Sequence, residues 1–386
     1  AWSMSNYVPG PESAHDHFFN SFYKFIPLVA DFRPQLLADV IQRAADQHEV
    51  YMEVMDLPDK EVSEGFGERN QKAATFDDKR SLLLKDKAFQ KNIEDTVQNS
   101  TGLLTKTKRI LGCDTHPERP ACQVEVRLIY YVLREQSPDQ VFAQALNGFE
   151  AVSRSGGDLI GMNLVQPENG YLSLRDYEKQ MQIFNYLHEK YPGVHIALHA
   201  GELSNANATP KDLSFHVKDA IAVGHAERIG HGVDIALEDN AKATLATMRN
   251  TPIAVEVNLI SNKEILQIYG KQHPLKLYLA EQVPVTLSTD DEGILRTDLT
   301  QQYVEAAWVH GLDYPTIKNI NRNALTYSFL PGKSLWQDAR TAKPVTECQV
   351  LDSENCKAFI KTSEKAARQW QLEKQLQAFE ATFDSK

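Results

Sequence analysis

The chain has 386 residues, 42% of them hydrophobic, and a formal net charge of −11. That is enough apolar material for a buried core, and enough length for one barrel of about 250 residues with insertions. No run of 18 apolar residues occurs, so no membrane span is expected, and the acidic balance, which also serves plain solubility, argues against a nucleic-acid partner.

The start, Ala1-Trp2-Ser3-Met4, lacks a charged stretch followed by an apolar one, so no signal peptide is read there; a leader already removed would leave the same start. Seven strands are predicted in chain order: Glu49–Met55, Gln123–Leu133, Leu159–Val165, Val194–His199, Arg228–Val233, Ile253–Leu259 and Val283–Ser288. Helical patterns separate them, at Pro34–Gln47, Asp78–Ser100, Pro138–Ser155, Leu174–Lys190, Asp212–Val223, Asp239–Arg249 and Pro274–Glu281. Thr300–Leu330 and the tail from Ser353 also read as helical, and Glu364–Phe383 carries enough charge for a solvated outer helix. No linker stands out, so residues 1–386 are expected to form one α/β domain with a helical C-terminal extension. Alternating strands and helices give a parallel α/β fold. A closed barrel needs eight strands, one more than the seven counted. An open doubly wound sheet would accept seven, but would show a Gly-rich loop after its first strand, and none is present.

The four cysteines fall into two local pairs, Cys113 with Cys122 and Cys348 with Cys356. Close pairs in polar loops poor in histidine suit disulfides better than a zinc knuckle, and place the protein in the periplasm or outside the cell; four free thiols are the other reading.

Chemically able residues gather at the ends of the later strands. His199-Ala200-Gly201-Glu202 sets an imidazole, which suits zinc, three residues before a carboxylic acid able to move a proton. His231 stands between two glycines, with room for a ligand or for a turn carbonyl. Asp290 and Asp291 are adjacent carboxylates, which a dry pocket tolerates when a cation or a donor relieves them; a helix N-cap would explain one of the two.

The order HAGE, RIGHG, then Glu256, Asn258, Ser261 and Asn262, then Ser288-Thr289-Asp290-Asp291, each on a successive strand, resembles the adenosine deaminase family. The resemblance runs from about Tyr51 to Gly332. Segments such as Val8–Glu12, His17-Phe18-Phe19, His273-Pro274-Leu275 and Tyr327–Gly332 look most like its secreted, growth-factor-like bacterial branch, which also carries the first cysteine pair. The resemblance implies a TIM-type (β/α)8 barrel and a Zn2+-dependent deamination of adenosine or 2'-deoxyadenosine. It implies His199 and Asp290 as zinc ligands and Glu202 as proton donor to the purine N1. His231 would orient the attacking water and help deprotonate it, and Asp291 would hydrogen-bond the purine or the water. Gln166 and Glu168 fall in the loop that binds the purine edge, with Gln166 where the family has glycine. Phe18, Phe19, Phe22 and Phe25 resemble its apolar lid, though core packing accounts equally well for Phe22 and Phe25. His15 and His17 are expected on the substrate side or in the lid, with metal binding as the other reading. The branch often dimerises through N-terminal elements, so a homodimer is possible on this reading.

The family's first strand carries a His-x-His pair that supplies two more zinc ligands. His15-Asp16-His17 precedes Phe-rich helical sequence instead of ending an apolar strand, so the seven strands correspond to strands two to eight and the first is expected to be missing from the chain. A different purine or nucleotide as substrate, or an inactive purine-binding protein, are the alternatives.

Overall fold

The computed structural model describes residues 2–69 and 73–384. Its main sheet has seven strands, β1 (Tyr51–Asp56), β2 (Glu125–Leu133), β3 (Leu159–Val165), β4 (His195–Ala200), β5 (Arg228–His231), β6 (Ala254–Val257) and β7 (Val285–Leu287). They lie side by side in chain order and every pair is parallel. All seven sequence-predicted strands are present, with ends shifted by a few residues, as hydrogen bonding at strand termini usually dictates.

The sheet is curled, as one side chain demonstrates. Arg228 on β5 ion-pairs with Glu256 on neighbouring β6 and also with Glu53 on β1, four strands away. A flat sheet would hold β1 and β5 about 19 Å apart, beyond the reach of an arginine. The curl makes the α/β fold of a TIM-type barrel, with β1 and β7 unpaired to each other along one seam.

Strand alternation sorts the side chains. On β2, Val126, Leu128, Tyr130 and Val132 face outward and are almost fully buried. They pack with Val141, Phe142, Ala145, Leu146 and Phe149 of the helix Pro138–Arg154, and each such side chain contributes roughly 1.5–3 kcal/mol on burial. That helix begins at a Ser137–Gln140 capping box with Pro138 in its first turn.

Two departures from the sequence reading are instructive. The Phe-rich run and Pro34–Gln47 form a single helix, α1 (Ala14–Asp46), with Pro27 and Pro34 inside it. An interior proline costs roughly 3 kcal/mol. Tertiary contacts at both ends offset that cost. Phe18 packs on Val233, Ile265, Leu266, Ile294 and Leu295 at the barrel mouth, while Leu37, Ile41, Ala44 and Ala45 enter the main core. Arg33 pins the middle through Asp56, 2.9 Å away, at the end of β1. The second departure is that Asp78–Ser100 splits into Phe76–Lys85 and Lys87–Ile110, because Asp86 is extended and caps the second helix through Ala88 N–H. Thr300–Leu330 splits likewise, into Leu299–Trp308 and Tyr314–Thr326, the latter capped by Asp313.

Both cysteine pairs are disulfides, Cys113–Cys122 and Cys348–Cys356. The tail helix Glu364–Asp384 is not solvated all round: Leu372 is buried with Val50, Leu325 and Leu330. Among the described residues no helix is long and apolar enough to cross a membrane.

Candidate active site

The C-terminal ends of β4, β5 and β7 bring His199, His231 and Asp290 together, with one ligand atom from each within 4.8 Å of the others. His199 faces the barrel interior because β4 alternates, placing Ala197 and His199 on the face opposite Ile196 and Leu198. Its Nδ1 lies 2.8 Å from Asn163 Oδ1. That oxygen also accepts the backbone N–H of Leu164 at 2.7 Å and of His199 at 3.3 Å, so it is the acceptor and His199 Nδ1–H the donor. The Nε2 lone pair of His199 is therefore left for a ligand. Burial holds this imidazole well below its ordinary pKa, and His231 and the cationic Arg134 add to the effect, so it is neutral as a metal ligand must be.

Arg134, fully buried, fastens three carbonyls beneath the site: Leu164 at 2.9 Å, and Val165 and His199 at 3.3 Å. The Gly201 turn is tied from the other side. Glu168 is fully buried and accepts Gly201 N–H at 2.9 Å, Glu202 N–H at 2.8 Å and His216 Nδ1–H at 2.6 Å. Burial raises the Glu168 pKa, but the bond and charge of His216, with Arg134 and Gly201 N–H, outweigh it and leave the carboxyl below its ordinary value. Gly201 adopts φ +75°, and a Cβ there would sit 2.4 Å from Asp234 Oδ1, so no other residue fits this turn.

Three non-glycine residues at the mouth also have left-handed backbones: Gln166 (φ +82°), His231 (φ +70°) and Asp290 (φ +56°). Each costs on the order of 1–3 kcal/mol, and such strain concentrates at functional sites. Asp290 is aimed by Ser261, whose hydroxyl donates to Oδ2 at 2.6 Å. Gln166 accepts Glu135 N–H through its side-chain oxygen at 2.8 Å.

Two acids at the mouth, Glu202 and Asp291, have raised proton affinities. Burial pushes the Glu202 carboxyl up to about 7; Asp290 and Glu168 push in the same direction and His231 opposes them. Asp291 is raised well above the carboxylate range, first by burial and then by Asp290 beside it. A carboxyl group of raised proton affinity, a neutral imidazole and the Asp290 side chain thus gather at one mouth, the kit for metal-assisted proton transfer.

His15 and His17 lie in the first turns of α1 and are not part of the donor cluster. His15 Nε2 contacts Asn169 Oδ1 at 2.9 Å, and His17 sits between Glu12 at 2.8 Å and the Ser3 carbonyl at 3.2 Å. Phe18 is 2% exposed. Sequence reasoning missed Asn163, Arg134 and His216, and read Asn262 and His273 only as members of motifs. Asn163 had one signal, a polar residue near the end of an otherwise apolar strand.

The curled parallel sheet with this constellation at its C-terminal mouth defines a metal-dependent hydrolase on an α/β barrel. A family model described as adenosine deaminase matches residues 16–337, and the chain belongs to that family. The aminodeoxyfutalosine deaminase of Streptomyces coelicolor is 34% identical over 145 residues, which is 37% of this chain and 35% of that protein. An adenosine deaminase of Klebsiella pneumoniae is 35% identical over 139 residues, 36% of this chain and 38% of that one. The alignments thus span little more than a third of these relatives. Among solved structures, an adenine deaminase from Arthrobacter aurescens superimposes with TM-score 0.55 at 19% identity, covering 81% of this chain and 80% of its own. The Arabidopsis protein ADAL complexed with IMP superimposes with TM-score 0.56 at 19% identity, covering 82% and 79%.

Proposed function

We propose that the protein deaminates adenosine or 2'-deoxyadenosine hydrolytically, with Zn2+ as its metal. The observation that carries the proposal is the convergence of His199 Nε2 and Asp290 on one point with a protonated Glu202 beside it. The donor set fits zinc: a neutral imidazole whose tautomer is fixed by Asn163, and a carboxylate aimed by Ser261. When bound, the metal supplies a Lewis acid that brings the pKa of water to near 7.

The side chains then divide the reaction. The attacking water forms a C–O bond at C6 of the purine. Glu202 hands its proton to N1, which draws electron density off C6 and makes it electrophilic. Asp291, whose proton affinity burial raises, donates a hydrogen bond to the ring, and the backbone at Gln166 lies on the purine edge. His231 orients the water. As the C6–N bond breaks, one proton of the water reaches the amino nitrogen, which leaves as ammonia, the other returns to Glu202, and the product is an inosine-type nucleoside. Phe18 and His17, on α1 over the mouth, close the substrate side.

Two ligands are fewer than a catalytic zinc normally takes. The seam between β7 and β1 is where an eighth strand would pair, and we place the remaining ligands on such a strand, N-terminal to this chain, in the full protein. The two disulfides support a periplasmic or secreted location. A purine substrate other than a nucleoside is favoured by one observation, the IMP bound to ADAL, and its test is parallel assay of adenine, adenosine and AMP.

The deciding measurement is metal content by atomic spectroscopy with loss of adenosine absorbance on the same sample. About one zinc per chain with turnover supports the reading; a zinc-loaded protein inert to all three purines would sink it.

A further inference from the structure

His231 is held by a chain of hydrogen bonds that begins on another strand's connection. Leu275 N–H donates to His273 Nδ1 at 3.1 Å. A backbone amide can only donate, so Nδ1 of His273 carries the lone pair and its ring proton is on Nε2. That Nε2 lies 3.0 Å from Asn262 Oδ1, which accepts. The Asn262 amide is thereby fixed, with its nitrogen toward His231, and Asn262 Nδ2–H donates to His231 Nδ1 at 2.9 Å. The opposite orientation of Asn262 would need a proton on His273 Nδ1, where Leu275 N–H already points.

The groups around His231 agree with this direction. Asn258 turns its own Nδ2 toward the ring, because its oxygen accepts the Ser288 hydroxyl at 2.6 Å; it stands 3.4 Å from both ring nitrogens. Glu202 Oε1 is 3.6 Å from His231 Nδ1, beyond bonding range, and Asp290 Oδ2 is 4.0 Å from Nε2. His199 packs at 5.1 Å between ring centroids. His231, His273 and Asn262 are all buried, so water does not compete with the chain.

We infer that His273 is a positioning residue that, through Asn262, fixes His231 as the Nε2–H tautomer and so makes it a hydrogen-bond donor to the reacting oxygen. The consequence for the deaminase reading, on which this rests, is specific. A ring nitrogen that already bears a proton cannot take one from water, so His231 orients the nucleophile and takes none of its protons. The connection after β6 thereby sets the chemistry at the end of β5.

The test is histidine-selective 15N NMR of the metal-free protein, with the His231 signals identified by their loss in His231→Gln. The native protein should show a protonated Nε2 and an unprotonated Nδ1; a protonated Nδ1 overturns the inference. His273→Leu frees Asn262 to turn and should populate both tautomers, whereas His273→Gln, which keeps a donor for Asn262, should restore one. On zinc-loaded protein, His273→Leu should lower kcat about 10–100-fold with KM nearly unchanged, and His273→Gln should recover most of it. A single unchanged tautomer in His273→Leu refutes the inference. If that variant does not fold, Asn262→Asp decides: a carboxylate accepts only, so it must move the His231 proton to Nδ1. Absence of turnover in the native protein would sink the deaminase reading and leave the NMR result standing.

Discussion

The two ends of the barrel are built from the same residue types and treat them oppositely. At the floor, acids have cationic partners. Arg228 is 6% exposed and pairs with Glu53 and Glu256, while Arg127 pairs with Glu125 and Glu364. Phe329 fills the space between, stacked on His195 and lying under the Arg228 guanidinium at 3.8 Å. At the mouth, no arginine or lysine neutralises Glu202, Asp290 or Asp291 among the ion pairs of the described residues. The proton affinities of Glu202 and Asp291 rise instead. Acids with cationic partners consolidate a fold, and acids denied such partners remain available for chemistry.

The comparison can be broken from the mouth first. Glu202→Gln keeps the shape and removes the proton. It should lower kcat by about 10²–10⁴-fold with metal content unchanged. Retained activity would remove Glu202 from the reaction.

Breaking the floor should act on stability instead. Glu53→Leu leaves Arg228 half-paired and strips acceptors from Phe329 N–H and Tyr51. The expected loss is about 2–4 kcal/mol in urea unfolding, since the buried Phe329 N–H and one arm of the Arg228 guanidinium each lose an acceptor while Glu256 still balances the charge. A loss under about 1 kcal/mol would show that the seam side of β1 admits water to the floor.

A smaller effect tests the support of the metal ligand. Asn163→Ala removes the acceptor that orients His199 and should weaken metal affinity about 10–100-fold, read by competition with a chelator. Unchanged affinity would mean that strand geometry alone aims the ring.

The gentlest probe is pH. With its carboxyl at about 7, Glu202 is the acid form below that pH and loses its proton above it, so activity should decline on the alkaline side of 7. The stability sign follows: folding raises this pKa, so the unfolded chain holds fewer protons between about 4.5 and 7 and stability falls as pH rises through that window. Glu202→Gln should flatten that part of the stability profile, and an unaltered slope would assign it to other buried acids such as Glu238 or Glu49.

The sequence by itself determined the strands, their parallel order, the cysteine pairs and the chemical identity of the mouth, because hydrophobic alternation and strand-end motifs are local patterns. His199, Glu202, His231, Asp290 and Asp291 were legible as candidates for that reason, and the structure gathers His199, His231 and Asp290 into one donor cluster beside Glu202. Only the tertiary structure decided how each of them is held. The proton on His199 is set by Asn163, 36 residues away, and the Gly201 turn by Glu168 and His216. No local pattern shows what these partners hold, since a hydrogen bond across a curled sheet depends on where strands meet. The same reason hid the path of α1, whose two prolines argue locally for a break while contacts at the mouth and in the core hold it continuous.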